Sequence, residues 1–177
     1  MRVLVAYASR HGSTQGIAQR IARSLWNCGM QAEALPVGAA SELGAYDAFV
    51  IGSATYFGRW LKEAIEFVQK NSDELNSLPV WLFSSGPLGS EPRDAEGRDL
   101  LAISEPREIP EIREEINPRD HRIFFGALDP TVLGFAERAL RKLPAGRAAL
   151  PEGDFRDWED IESWAESIAH ELAPVPR

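Results

Sequence analysis

Apolar residues along the chain fall into short continuous runs, separated by stretches in which they recur every three or four positions. Val3-Leu4-Val5-Ala6-Tyr7-Ala8 is the first run, so residues 2–8 are expected as a strand. A helix is expected next, over about 13–28, with Ile17, Ile21 and Leu25 on one stripe and Ala18 and Ala22 beside it. Gly29 stands where such a helix takes a left-handed closing residue. Met30–Val37 alternates loosely and reads as a second strand, nearer an edge. Ala48-Phe49-Val50-Ile51-Gly52 has the continuous apolar character of a strand covered on both faces. A helix from about Trp60 to Lys70 turns Leu61, Ala64, Ile65 and Val68 inward. Pro79–Ser84 is a fourth strand and Arg122–Gly126 a fifth. The last helix carries Trp158, Ile161, Trp164, Ala165, Ile168 and Leu172 at helical spacing, with Asp157 as its N-cap.

Buried strands alternating with amphipathic helices build an α/β fold, doubly wound on a five-stranded parallel sheet. Two stretches depart from the alternation. Residues 87–118 are rich in charge and proline, and Ile109, Ile112 and Ile116 mark only a short helix there. Residues 128–156 form an inserted segment before the last helix, with an amphipathic piece around Phe135–Leu143. Residues 1–177 suit a single domain containing that insert. The closing Ala-Pro-Val-Pro-Arg is expected to fray.

Composition narrows the function. A formal charge of −8 lacks the basic face that nucleic acid requires, and suits docking to basic protein partners. No apolar run reaches the roughly 18 residues of a transmembrane segment, and a strand beginning at residue 2 leaves no room for a signal peptide. The single cysteine, Cys28, cannot form an internal disulfide and fits a reducing, cytoplasmic setting. It reads as a small structural residue.

In open α/β sheets, ligands bind beyond the carboxyl ends of the strands. The loop after the first strand, Ser9-Arg10-His11-Gly12-Ser13-Thr14, leads straight into a helix. The helix N-terminus offers unpaired N–H groups and the positive end of the macrodipole, Gly12 lets backbone approach an anion, and Ser9, Ser13 and Thr14 add hydroxyls. Neither Gly-x-x-x-x-Gly-Lys nor Gly-x-Gly-x-x-Gly occurs, so the loop suits one terminal phosphate rather than a triphosphate or dinucleotide. The alternative is a plain strand–turn–helix join. After the third strand comes Ser53-Ala54-Thr55-Tyr56-Phe57-Gly58, with Trp60 close behind. After the fourth comes Ser84-Ser85-Gly86-Pro87-Leu88-Gly89, rich in free backbone N–H. A phosphate loop, an aromatic loop and a bare-backbone loop together suit a phosphorylated, planar heteroaromatic ligand.

That combination resembles flavodoxins. Ser9, Gly12 and Thr14 match the Thr/Ser-x-Thr-Gly-x-Thr loop, with His11 in place of the middle threonine. The resemblance implies strand order 2-1-3-4-5 and FMN as cofactor. Its phosphate would lie on Ser9, Arg10, His11, Gly12, Ser13 and Thr14. Its ring would lie between Ala54, Thr55, Tyr56, Phe57 and Gly58 on one side and Ser84, Ser85, Gly86, Pro87, Leu88 and Gly89 on the other. Phe67-Val68-Gln69-Lys70, Leu75-Asn76-Ser77-Leu78-Pro79, Phe125-Gly126-Ala127-Leu128, Asp157-Trp158-Glu159 and Ile168-Ala169-His170 are similar to the flavodoxin-domain branch that includes the menaquinone-dependent protoporphyrinogen dehydrogenases. In that branch a long loop before the last helix is linked to substrate or membrane contact. Here the loop is modestly basic, with Arg138, Arg141 and Lys142 beside Asp129 and Glu137. The resemblance therefore implies first an FMN-binding, flavodoxin-like redox protein exchanging electrons with a partner protein or small molecule. The alternative is a dehydrogenase passing electrons from a porphyrinogen through FMN to a quinone, with peripheral membrane contact. A third reading is a flavin-free α/β domain of response-regulator type. It meets Ala6-Tyr7-Ala8-Ser9 where such folds carry acidic residues.

Tyr56, Phe57 and Trp60 are candidates to stack on a ring or, alternatively, to pack at a strand–helix corner. Trp81, Trp158 and Trp164 fall on core stripes, and Trp26 is expected as structural. His121 and His170 have no ligand-spaced Cys or carboxylate near them in sequence and are expected in surface or capping roles. No catalytic side chain or metal ligand is singled out, because the chemistry of such a protein belongs to its flavin.

Overall fold

The alternation of side chains along a strand decides which face of the sheet each residue covers. In β1 (Arg2–Ala8), Val3, Val5 and Tyr7 face one layer while Leu4, Ala6 and Ala8 face the other, and all six are buried. The structure, a computed structural model, describes residues 1–89 and 91–173; beyond Ala173, the tail expected to fray lies outside the described residues. Helix α1 (Ser13–Asn27) returns the chain to β2 (Gln31–Pro36), the half-buried edge strand, after Gly29 at φ 85°. β3 (Ala48–Tyr56) is followed by a two-residue strand β4 (Arg59–Trp60), then α2 (Lys62–Lys70) and α3 (Ser72–Ser77). β5 (Val80–Ser85), α4 (Leu100–Ile103), α5 (Ile109–Ile116) and β6 (Asp120–Phe124) complete the main sheet and its covering helices. Beyond it lie β7 (Ala127–Leu128), α6 (Phe135–Leu140), α7 (Pro144–Ala149), β8 (Gly153–Asp154) and α8 (Trp158–Leu172).

The parallel order is β2-β1-β3-β5-β6, with β4 added antiparallel to β3. Counting only the five main strands, this is the 2-1-3-4-5 order of the doubly wound fold. Register places Val5 beside both Ala34 and Val50, and Ile51 beside Leu82. Helices α1 and α8 cover one face over Val3, Val5, Trp81 and Phe83, with Ile17, Ile21, Leu25, Ile161, Trp164 and Ile168 supplied by the helices. Phe83, Phe124 and Trp164 meet there with ring centroids 5.6 to 6.4 Å apart, and Trp164 Nε1 donates to Asp120 Oδ2 at 2.8 Å. Gly52 is required in this layer, because a Cβ at that position would fall inside the Phe83 ring. The opposite face is covered by α2, α3 and α5 over Leu4, Phe49, Ile51 and Leu82.

Several boundaries differ from expectation. The third strand does not stop at Gly52. It runs to Tyr56 and doubles back, because Phe57 and Gly58 both adopt positive φ (51° and 71°), the pattern of a tight hairpin turn. Trp60 therefore lies in a strand, and the helix expected from Trp60 begins at Lys62. Asn71 closes α2 by donating its side-chain amide to the Phe67 carbonyl, which separates α3. The fifth strand begins earlier, at Asp120, where exposed and half-buried residues alternate along a sheet edge. Trp26 is not structural: it projects from the outer face of α1, 61% exposed. Cys28, expected as a small structural residue, is also exposed. Asp157 does cap α8, accepting the Asp160 N–H at 3.0 Å.

The insert is closed at its base. β7 pairs antiparallel with β8, Ala127 opposite Asp154 and Leu128 opposite Gly153, so residues 129–152 leave and rejoin the fold at one point.

Candidate functional site at the strand ends

Past Ala8 the chain turns through Ser9–Gly12. The Gly12 N–H donates to Ser9 Oγ at 3.1 Å, and Gly12 adopts φ 86° with open space where a Cβ would stand. Helix α1 then starts with no side-chain cap, although its Gly12 carbonyl accepts the Gly16 N–H at 3.0 Å. Uncapped N–H groups at a helix N-terminus form an anion site. Ser13 Oγ is occupied structurally: it accepts the Ala127 N–H at 2.8 Å and lies 3.3 Å from Ser85 Oγ. Thr14 is different. Its Oγ1 is buried with no hydrogen-bond partner, and so is Oγ1 of Thr55 across the crevice. A buried hydroxyl left unpaired costs about 1–3 kcal/mol. Two of them lining one crevice mark polar groups that a ligand would satisfy.

The crevice is lined by Ser9, His11, Ser13, Thr14, Ala54, Thr55, Tyr56, Ser85, Gly86 and Leu88, so all three candidate loops meet in it. The other candidates lie around or away from it. Arg10 stacks over the Tyr56 ring, its guanidinium carbon 4.9 Å from the centroid. Phe57 stands at the hairpin tip, 96% exposed, and the Gly58 carbonyl accepts the Arg107 N–H. The Pro87 carbonyl accepts the Gly126 N–H, and Gly89 adopts φ 125°. Ser84 points to the opposite face of the sheet. Strand alternation sends Ser85 into the crevice and buries Ser84 Oγ between Trp60 Nε1 and His121 Nε2, each 2.8 Å away. Trp60 is likewise committed to that buried contact and not to the crevice.

Six lining residues escaped the sequence reading: Gly126, Ala127, Leu128, Leu133, Glu137 and Leu150. The first three follow the fifth strand, so the rule that ligands sit beyond strand carboxyl ends already pointed at them. The other three reach the crevice from the insert, and no local pattern announces that.

His11 Nε2 lies 3.2 Å from Glu137 Oε1, and the His11 ring meets Tyr56 edge-on at 6.1 Å. The Glu137 carboxyl is held below the usual carboxylate range, first by the Gly134 N–H it accepts and then by His11. Burial pushes the Tyr56 hydroxyl up, against the opposing pull of Arg10. Arg156 reaches back from beyond the insert to donate to the Ser13 carbonyl at 3.3 Å.

His121 is not a surface residue. Its side chain is 1% exposed, with Nδ1 3.4 Å from Glu105 Oε1, and Arg113 Nη2 meets the same oxygen at 2.7 Å. Burial pushes the imidazole down to about 4, outweighing the pull of Glu105. Among the described residues, no three His, Cys, Asp or Glu side chains are grouped to hold a metal ion, and no helix is long and apolar enough to cross a membrane.

Comparison with known proteins bears on this crevice. The family model described as a flavodoxin domain matches residues 4–145. Protoporphyrinogen IX dehydrogenase (quinone) from Escherichia coli strain K12 is 28% identical over 177 residues, spanning 96% of each chain. Oxidised flavodoxin 2 from Bacillus cereus superposes with a TM-score of 0.58 at 21% identity, over 97% of this chain and 100% of that one. A flavodoxin from the domain Archaea gives 0.59 at 16% identity, over 97% and 98%. The two structural likenesses speak to the fold alone.

Proposed function

The chain belongs to the flavodoxin domain family and is an FMN-binding redox protein, and from that premise we propose that the crevice at the strand ends holds the flavin while electrons pass to or from a partner protein or small molecule. The observation that carries the assignment of the site is the pair of unpartnered buried hydroxyls, Thr14 and Thr55, facing one crevice beside an uncapped helix N-terminus. These residues fit the group. Neutral donors at the start of α1 and the Thr14 hydroxyl would hold the phosphate, with Ser9 and Gly12 shaping the turn. Thr55, Tyr56, Gly86 and Leu88 would flank the ring.

When bound, FMN supplies the one- and two-electron chemistry. The protein's part is to bind, orient and set the electrostatic surroundings. Its phosphate site would hold a dianion through neutral donors in a chain of net charge −8, so added negative charge near the ring is disfavoured and the potential is expected to be low. Tyr56, with Arg10 stacked on its ring and its hydroxyl held protonated by burial, keeps a neutral phenol beside the crevice.

A second reading is protoporphyrinogen oxidation with a quinone as acceptor. The full-length likeness to the Escherichia coli dehydrogenase favours it. So do the exposed apolar side chains Phe57 on the hairpin and Val132, Phe135, Leu140 and Leu143 on the insert, which would receive an apolar substrate. We assign the protein to the cytoplasm on its single cysteine.

Anaerobic reduction of the FMN-loaded protein, followed by its visible spectrum, tests these readings. Quenched flavin fluorescence on mixing and reduction in two resolved one-electron steps would support a carrier. Reduction in one two-electron step, with reoxidation by a quinone and turnover of a porphyrinogen, would support the dehydrogenase. Failure to retain FMN would overturn both.

A further inference from the structure

One wall of the crevice is not made by the sheet. Leu133, Glu137 and Leu150 come from the 129–152 insert and line the crevice together with Ser9, His11 and Tyr56 of the first and third strand loops. We propose that this insert is a gate on the cofactor crevice, latched by Glu137 to His11, and that it opens to admit and release FMN. The inference rests on the FMN reading of the site.

The geometry has three parts. The β7–β8 pair holds both ends of the insert at one point, which leaves the segment between them able to move as a unit about that base. Helix α6 buries none of its residues, so little apolar contact opposes its movement, and Leu133 supplies the packed contact of the segment before it. Glu137 joins insert to loop: Oε2 accepts the Gly134 N–H at 2.9 Å and Oε1 meets His11 Nε2 at 3.2 Å. His11 belongs to the turn that presents the α1 N-terminus, so the latch is fastened to the phosphate loop itself.

Position gives the latch its consequence. Leu133, Glu137 and Leu150 line the same crevice as Thr14 and Thr55, so the insert borders the space that a bound flavin would fill. The walls formed by β1, β3 and β5 end in strands buried on both faces, which do not yield. The insert is the wall that moves.

Glu137→Gln tests this. Glutamine keeps an acceptor for the Gly134 N–H and removes the charge facing His11. In flavin-free protein, amides across 133–147 should exchange with deuterium about five-fold faster than in the wild type, the size expected for one partly exposed charge-assisted contact. On mixing with FMN, fluorescence quenching should show association and dissociation both faster by a similar factor, so that the Kd moves far less than either rate. In a His11→Ala background the same substitution should change exchange and rates no further. Unchanged exchange and rates in the single variant would overturn the latch. So would an equal acceleration in the His11→Ala background, because Glu137 would then act without His11. Should wild-type protein bind no FMN, the cofactor reading falls, and the exchange comparison still decides whether Glu137 and His11 hold the insert.

Discussion

Helices α1 and α6 both border the crevice, and they are held in place by different physics. α1 has 15 residues and buries Thr14, Ile17, Ala18, Ile21, Ala22, Ser24 and Leu25 against the sheet and α8. α6 has six residues and buries none of them; its position is set by Glu137, by the β7–β8 clasp and by Arg138 donating to the Thr131 carbonyl at 2.7 Å. One wall of the site is therefore part of the hydrophobic core, while the other is fastened by charge and hydrogen bonds on the surface. Substitutions in the first should change global stability, and substitutions in the second should change access to the crevice while leaving stability alone.

The largest contrast is between two phenylalanines. Phe83 is fully buried over Gly52, between Phe124 and Trp164. Phe83→Ala should cost about 3–5 kcal/mol of unfolding free energy, from lost transfer and the cavity left behind. Phe135 is almost fully exposed at the start of α6, and Phe135→Ala should stay within about 0.5 kcal/mol of wild type. Urea unfolding followed by tryptophan fluorescence measures both. An insert phenylalanine that matters as much as the core one would break the division.

Acid should act on the core side. The His121 imidazole is held neutral and its value is lowered from 6.5 to about 4, chiefly by burial. The unfolded chain therefore takes up this proton first as pH falls. Stability should decline from about pH 6.5 and level off below about pH 4, with a slope approaching 1.4 kcal/mol per pH unit between them. Replacing His121 with Gln should flatten that part of the profile, even if the variant is less stable at neutral pH. A slope that survives the substitution would assign the effect to carboxylates elsewhere.

The two walls also differed in how far they could be read from the sequence. The sheet and its covering helices follow from periodicity, because Val3, Val5 and Val50 or Ile17, Ile21 and Leu25 face the core at spacings set by backbone geometry. The loop after β1 was legible for the same local reason, a strand breaking into hydroxyls and glycine before a helix. Other features depend on tertiary partners. The Phe57-Gly58 turn lacks the Asn-Gly or Asp-Gly signature of a hairpin, so β4 was hidden inside a helix assignment. Ser84 and Ser85 are the same residue type in one candidate loop, and only the strand running through both sends one to His121 and the other to the crevice. His121 looked isolated because Ser84 and Glu105, its partners, are distant in sequence. Glu137 is one acidic residue in a modestly basic loop, and nothing local places it beside His11.

On the rigid wall, Thr14→Val keeps shape and removes a buried hydroxyl that has no partner in the protein. Hydrogen bonds to charged groups contribute about 1.5–3 kcal/mol, so FMN affinity measured by fluorescence titration should fall roughly 10- to 100-fold. The stability of the flavin-free protein should hold or rise, because an unpaired polar group leaves the interior. On the insert, Thr131 Oγ1 already donates to Asp129 at 2.7 Å, and Thr131→Val should leave FMN affinity unchanged. Equal losses at the two threonines would mean that the cofactor site is not built on the α1 wall.

The smallest effect makes the sharpest comparison, because the two walls use the same device. Asp157 caps α8 by accepting the Asp160 N–H, and α8 carries Ile161, Trp164, Ala165 and Ile168 into the core. Glu137 accepts the Gly134 N–H at the start of α6, which carries nothing into the core. Loss of a cap costs typically about 1 kcal/mol of helix stability, and whether the whole protein registers that loss depends on whether the helix must unfold with it. Asp157→Ala should thus lower the global unfolding free energy by about 1 kcal/mol, with amides throughout the sheet exchanging faster. Glu137→Ala should leave the urea midpoint unmoved and speed exchange only within the insert. A shifted midpoint for Glu137→Ala would show that the insert unfolds with the core, and the crevice would then have two rigid walls instead of one.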